Sequence, residues 1–257
     1  MPVRLVSLPY TRHRAFALAV AALTLAAGGC VRGNARLAPA GTGLATRAPA
    51  PANTITASAT SSAPGSAGRL SRAALLRSAP TGTYILDVLS VQGFEVVRWP
   101  EAENAPLRVW IGDGSKHKGW RPTFPAMVRS AFTEWAAQGI PMRVVFVKDS
   151  ARAQIRVNWV DHFGQDVSGR TTWQYDDGGR IRAGRTTLST RRSDGLARTD
   201  VQLRAIALHE VGHALGLQHV QDDNTSIMSP RVDVFELSSA DRATVRLLYS
   251  LPTGRLE

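Results

Sequence analysis

Residues 209–219 read His-Glu-Val-Gly-His-Ala-Leu-Gly-Leu-Gln-His, and no other stretch limits the options of the chain as much. His209 and His213 are four residues apart, roughly 400° of helical turn, so both imidazoles leave one face of a helix. Two neutral imidazoles at that spacing can share a tetrahedral zinc ion. Glu210 is offset by one position. It falls beside the metal without being a ligand, where it can hold a water. His219 comes six residues after His213, and roughly 600° of unbroken helix would turn it away from the metal. The helix must therefore stop between them. Gly216 is the residue type that stops helices, because it takes the left-handed conformation with no Cβ in the way. The chain then turns back and His219 becomes the third ligand. Three protein ligands leave one zinc position open, which is the catalytic arrangement and not the structural one.

The rest of the composition narrows the alternatives. At 257 residues and 44% hydrophobic content, the chain suits one good-sized domain with extras or two small ones. Its net charge of +11 suggests nucleic acid until its distribution is considered. Residues 101–257 carry 21 basic and 18 acidic residues, so the excess sits mainly in the first hundred residues and no nucleic-acid partner is expected. Cys30 is the single cysteine. A disulfide within the chain and a cysteine-based metal site are both excluded, leaving His, Asp and Glu as ligands.

The first 30 residues read as a signal peptide. Arg4, Arg12 and Arg14 precede an uncharged apolar run, Ala15 to Ala27, that is too short to span a membrane. Ala26-Ala27-Gly28-Gly29-Cys30 resembles a bacterial lipoprotein cleavage box, with Cys30 as the lipidated residue, although Ala27 stands where Leu is usual. The expected location is a bacterial cell envelope, lipid-anchored or secreted. Residues 31–80 are rich in Ala, Pro, Ser and Thr and read as a flexible linker, with a short helix near 69–79. Residues 81–257 read as the folded domain.

Within that domain Tyr84–Trp99 is apolar and β-rich, and reads as a strand or arm. Leu107–Ile111 alternates as a strand. Phe124, Met127, Val128, Ala131, Phe132 and Trp135 recur at helical spacing, with Thr123 placed to cap and Gly139 to terminate. Met142–Val147 and Ala153–Val160 read as further strands. Arg170–Tyr175 and Arg180–Thr190 flank Asp176-Asp177-Gly178-Gly179 as a hairpin. Calcium at that acidic turn is possible, but nothing beyond the turn itself supports it. Six arginines between Arg180 and Arg198 read as a solvated rim, and the six tryptophans as core and rim packing. Asp200 is placed to cap a helix running to Leu215. Ser238 or Ser239 caps a last helix with Val245, Leu248 and Tyr249 inward.

With His209, His213, Gly216, His219 and Met228 in one order, the chain resembles the metzincin metallopeptidases, and within them the matrixins and their bacterial relatives. The likeness runs from Arg98 to Tyr249 and includes Ile227-Met228-Ser229-Pro230 and Leu237-Ser238 through Leu248-Tyr249. It implies an α+β metzincin fold with an α/β-type N-terminal part. The fold has a twisted, mostly parallel five-stranded sheet with one antiparallel edge strand, an active-site helix and a C-terminal helix. It also implies a methionine turn at Met228 beneath the histidines, supported by Asp241, and a peptide substrate lying along the edge strand near Thr171–Tyr175. Pro230-Arg231-Val232 would wall the pocket beyond the scissile bond. There are departures. Ala240 replaces the family's first aspartate of the last helix, which grips the mature N-terminus. The cysteine latency motif is absent, and only His162, with Asp161 and Asp166, stands where a structural zinc would be bound.

The implied activity is that of a monomeric zinc endopeptidase acting on proteins or peptides, with one catalytic zinc ion and Glu210 as general base and then acid. Two alternatives are a non-catalytic zinc module that binds envelope peptides and a peptidase for cell-wall crosslinks.

Overall fold

The computed structural model describes residues 4–7, 71–78, 81–101, 105–164, 167–221 and 223–256. In chain order they form β1 (Arg4–Ser7), α1 (Arg72–Ser78), α2 (Ile85–Val91), β2 (Glu95–Val96), β3 (Leu107–Ile111), α3 (Phe124–Ala136) and β4 (Val144–Phe146). There follow β5 (Ile155–Val160), β6 (Gly169–Tyr175), β7 (Ile181–Ser189), α4 (Asp200–Ala214), α5 (Ser239–Ser250) and β8 (Gly254–Arg255). All belong to one compact unit, residues 1–11 and 68–257. A second unit, residues 12–67, contains Cys30 and most of the expected signal segment and linker, and lies outside the described residues.

Five strands lie in the order β6-β7-β5-β3-β4, with β1 added outside β6. β7, β5, β3 and β4 are parallel, and β6 runs antiparallel to β7. This is the expected five-stranded sheet with one antiparallel edge, enlarged by β1. Ile155, Val157 and Trp159 of β5 are buried and the residues between them are half-covered, as a two-residue period requires. α3 turns Phe124, Val128, Ala131, Phe132 and Trp135 into the core. α4 packs against α3 on one side and β6 and β7 on the other, and every residue from Ala205 to Ala214 is buried. It is an interior helix, not an amphipathic surface one.

Three indoles and a phenol fasten α4. Trp135 donates to the Leu208 carbonyl at 2.8 Å, Trp173 to His213 at 2.9 Å and Trp99 to Ala214 at 2.8 Å. The Tyr249 hydroxyl donates to the Leu215 carbonyl at 3.0 Å. The last carbonyls of a helix lack internal partners, and buried ones must find them elsewhere.

Some local expectations need correction. Tyr84–Trp99 is not one strand or arm. Ile85, Val88 and Leu89 lie one turn apart and are fully buried, so helical periodicity outweighs their β-branched content. Gly93 (φ 63) and Phe94 (φ 60) then reverse the chain into β2, with the Glu95 N–H on the Gln92 carbonyl. Such a turn needs positive φ at both central residues. The cap of α4 is Thr199 and not Asp200. Its hydroxyl accepts from the Gln202 N–H while the Gln202 side chain accepts from the Thr199 N–H, a reciprocal box. Thr123 stands at the cap of α3 without capping it, and its hydroxyl bonds the Asp200 carboxylate instead. Arg198, expected on a solvated rim, is 7% exposed. No helix among the described residues is long and apolar enough to cross a membrane.

Candidate metal centre and active site

α4 ends in a Schellman motif. Gly216 takes φ 103, its N–H bonds the His213 carbonyl, and the Leu217 N–H bonds the Gly212 carbonyl. A Cβ on Gly216 would also lie 2.5 Å from the Val97 carbonyl oxygen. The turn returns the Leu217 carbonyl to His213, whose Nδ1 lies 2.9 Å from it. His209 Nδ1 is 2.6 Å from the Ile227 carbonyl. A carbonyl only accepts, so both Nδ1 atoms carry the proton and both Nε2 atoms present lone pairs.

The three Nε2 atoms converge. His213 is 3.1 Å from His209 and 3.2 Å from His219, and His219 is 3.3 Å from His209. Zinc–nitrogen bonds of ~2.0–2.1 Å at tetrahedral angles separate ligand nitrogens by about 3.3 Å, so the donor set fits zinc. Among the described residues this is the one His/Cys/Asp/Glu cluster with metal-ligand spacing. Burial keeps the imidazoles neutral. It lowers His209 to about 4, lowers His213 well below its ordinary value with help from the neighbouring imidazoles, and lowers His219 as well.

Glu210 is buried beside them, and desolvation raises its carboxyl to about 7 against the opposing hydrogen bond from Thr171. The Thr171 hydroxyl is 2.7 Å from Glu210 Oε2. Below, Met228 is fully buried against Gly212, where a Cβ would lie 2.4 Å from the Met228 sulfur. Asp241 holds this turn. Its carboxylate accepts from the Ile227 N–H, the Ser226, Ser238 and Tyr84 hydroxyls and the Ser238 N–H. The same Ile227 that gives its N–H to Asp241 gives its carbonyl to His209, so the carboxylate orients a ligand through one peptide unit.

A family profile for Matrixin, of the M10 peptidases, matches residues 113–250, more than half of the chain. The chain belongs to the matrixin family. It is 30% identical over 172 residues to human matrix metalloproteinase-15, covering 59% of this chain. That alignment spans about a quarter of the human protein, 25% of its length. Zinc is the metal this matrixin's three histidines imply.

The structure brings His209, His213, His219 and Glu210 together at the centre, with Gly216 at the turn, Met228 and Asp241 beneath and Pro230 at the cleft wall; Cys30, the expected lipidation site, lies outside the described residues. The matrixin's cleft has a volume of about 680 Å³ and runs past Gly169–Thr171 and the Pro230–Asp233 wall. Sequence reading did not single out Thr171, Gly212, Ser226 or Tyr84. Gly212 left a signal, being a glycine in mid-helix that costs about 1 kcal/mol relative to alanine unless packing requires it. The others left none, since each acts across the fold.

One expectation changes. β1 pairs antiparallel with β6, Arg4 opposite Tyr175 and Ser7 opposite Thr172, so part of the edge expected for substrate carries the chain's own N-terminal strand. His162 does not join a second metal cluster among the described residues; its Nδ1 lies 3.2 Å from the Phe163 carbonyl. Asp161 instead meets His117 at 2.9 Å, and Asp166 lies outside the described residues. The Asp176 carboxylate is engaged by the Gly178 and Arg180 N–H groups and the Arg182 guanidinium, which accounts for the acidic turn without calcium.

Proposed function

We propose that this matrixin is a zinc-dependent endopeptidase of the bacterial envelope, acting on protein or peptide substrates as a monomer and tethered by a lipid on Cys30. The observation that carries the catalytic reading is the convergence of three Nε2 lone pairs within 3.3 Å of one another beside a buried carboxyl at the wall of an open cleft. Zinc held there would supply Lewis acidity to a water and to the scissile carbonyl. Glu210 does the proton work. Burial raises its carboxyl to about 7 in the metal-free site, and as a carboxylate it accepts a proton from the attacking water and returns it to the departing amine. Thr171 fixes the carboxyl on one oxygen, leaving Oε1 for that exchange. His209 and His213 keep Nε2 deprotonated through their Nδ1 contacts. No side-chain nucleophile is needed, so no covalent intermediate is expected.

The reading is tested on purified protein with casein and a peptide library. Chelation should abolish hydrolysis and zinc should restore it. Glu210→Gln should lower kcat by at least about 10²-fold to 10⁴-fold while zinc content stays at one ion per chain. Hydrolysis that survives both treatments would overturn the mechanism. Export is tested separately by following the Cys30→Ala protein to the membrane or soluble fraction.

A further inference from the structure

Arg198 is the residue before the cap of α4, and it is buried without a counter-ion among the described residues. Its Nε donates to the Ser189 carbonyl (3.2 Å) and Ser189 Oγ (3.1 Å), and its Nη2 to Ser168 Oγ and Ser189 Oγ (3.0 Å each). All of these acceptors are neutral. Among the described residues no carboxylate lies in salt-bridge range of it. Asp194, the acid whose charge reaches it, is paired with Arg192 at 2.7 Å. Burial and the charge of Arg192 both work against the guanidinium. Arginine stays protonated regardless, so among the described residues this buried cation has no compensating carboxylate, an arrangement that is costly unless a partner arrives. Nη1 makes no hydrogen bond within the described chain and is not among the sealed, unpartnered atoms.

This cation faces the cleft. Arg198 lines it with Arg170, Arg192 and Arg231, against Asp233 and Glu210 as the acids. Its acceptor Ser168 precedes Gly169, and a Cβ on Gly169 would lie 2.5 Å from Glu210 Oε1. The guanidinium is therefore anchored one residue along the wall from the proposed general base. Gly169 and Ala205 are small residues of the same cleft lining.

The direction of a bound peptide follows from β1. Arg4 sits opposite Tyr175 and Ser7 opposite Thr172, so a chain added antiparallel to β6 runs N to C toward Gly169. A substrate in that sense passes the histidines and Glu210 near Thr171 and Gly169. Its next residues reach Ser168 and Arg198.

Building on the peptidase reading above, we propose that Arg198 determines specificity by receiving an acidic side chain, Glu or Asp, from the substrate residue that follows the scissile bond. A carboxylate there supplies the missing counter-charge and accepts from a fork already held in place by Ser168 and Ser189.

The test uses the full chain, loaded with zinc, and one peptide series varied only at that position. Glu and Asp peptides should be cleaved with kcat/KM about tenfold or more above the Gln peptide, and the Lys peptide least. Arg198→Met should bring the Glu peptide down to the Gln level and leave the Leu peptide unchanged or better. Equal rates for Glu, Gln and Leu with the unaltered protein would overturn the proposal. So would a uniform loss across the series in Arg198→Met, because that marks an anchor for Ser168 and Ser189 alone. If Arg198→Met does not fold, Arg198→Lys keeps the charge and loses the fork, and the Glu-to-Gln ratio should shrink severalfold; an unchanged ratio overturns the proposal. If no peptide is cleaved, the peptidase reading fails by itself. Fluorescence anisotropy of the same peptides then decides the pocket: about tenfold tighter binding of Glu over Gln supports it, and equal binding overturns it.

Discussion

The back and the front of the metal centre are built on opposite principles. Behind the histidines the polar groups are saturated. Asp241 accepts five hydrogen bonds on two oxygens, and the carbonyls of Leu208, His213, Ala214 and Leu215 are each met by an indole or phenol. In front, charges stand open: Glu210 has one hydroxyl on its carboxylate, and Arg198 has neutral acceptors only. A saturated shell holds geometry before any ligand arrives, while an unsatisfied one is stabilised by the ligand. The difference teaches which mutations should unfold the protein and which should only change what it does.

The largest break is expected at the back. Asp241→Ala removes one carboxylate and strands several buried donors, among them the Ile227 N–H and the Tyr84 hydroxyl. We expect a loss above ~3 kcal/mol in denaturant unfolding. Zinc affinity should also fall, by about 10-fold to 100-fold, because His209 loses the support of Ile227. A change under about 1 kcal/mol would show that the back is not held by this residue.

Gly212→Ala probes the same region through shape. On an ordinary helix the change gains about 1 kcal/mol. Here the new Cβ would sit 2.4 Å from the Met228 sulfur and 3.1 Å from the Trp135 ring, and overpacking costs ~1–3 kcal/mol. A net loss of up to about 2 kcal/mol is expected, read as a lower Tm. A gain would mean that Met228 gives way and the methionine turn is softer than its burial implies.

The same division explains what could be read before the fold was known. The ligands and Glu210 form one local pattern whose chemistry depends on helical spacing, so they were legible from residues 209–219 alone. Asp241 and Met228 were legible because the order of elements is conveyed by the family resemblance. In sequence Thr171 reads only as the start of the substrate edge; that its hydroxyl meets Glu210 depends on how β6 lies against α4. Arg198 looked like one more arginine in a basic run, since sequence carries charge but not burial. All six tryptophans read as packing in sequence, and the three that donate to α4 carbonyls are indistinguishable there from the others. In Ile85–Val91 two turns of helix were too short for the period to show against β-branched composition.

At the front, Thr171→Val keeps the shape and removes the hydroxyl. We expect kcat to fall about tenfold with KM little changed, because the carboxyl of Glu210 loses its orienting partner. Stability should fall by about 1 kcal/mol, as the Thr186 hydroxyl also loses its neighbour. Thr171→Ser should restore kcat. A KM effect without a kcat effect would place Thr171 in substrate binding instead.

The smallest effect is expected from mild acid, and it compares the two regions on the ligands themselves. Ordinary histidine protonates near 6.5, whereas burial lowers His209 to about 4 and lowers His213 and His219 too. A lowered pKa favours the neutral, ligating form, so protons compete poorly for the lone pairs. Bound zinc, measured after rapid desalting, should stay constant from pH 8 to 6. The metal-free protein carries the sign of the linkage in its stability. Its unfolded histidines take up protons below about 6.5 while the folded ones do not, so stability is held above that value and declines as pH falls toward about 4. His219 is the ligand nearest the open side, only partly buried where His209 and His213 are fully so. Zinc release already centred near pH 6.5 would mean that the front of the site wets all three imidazoles, and that the saturated back does not by itself keep the ligands dry.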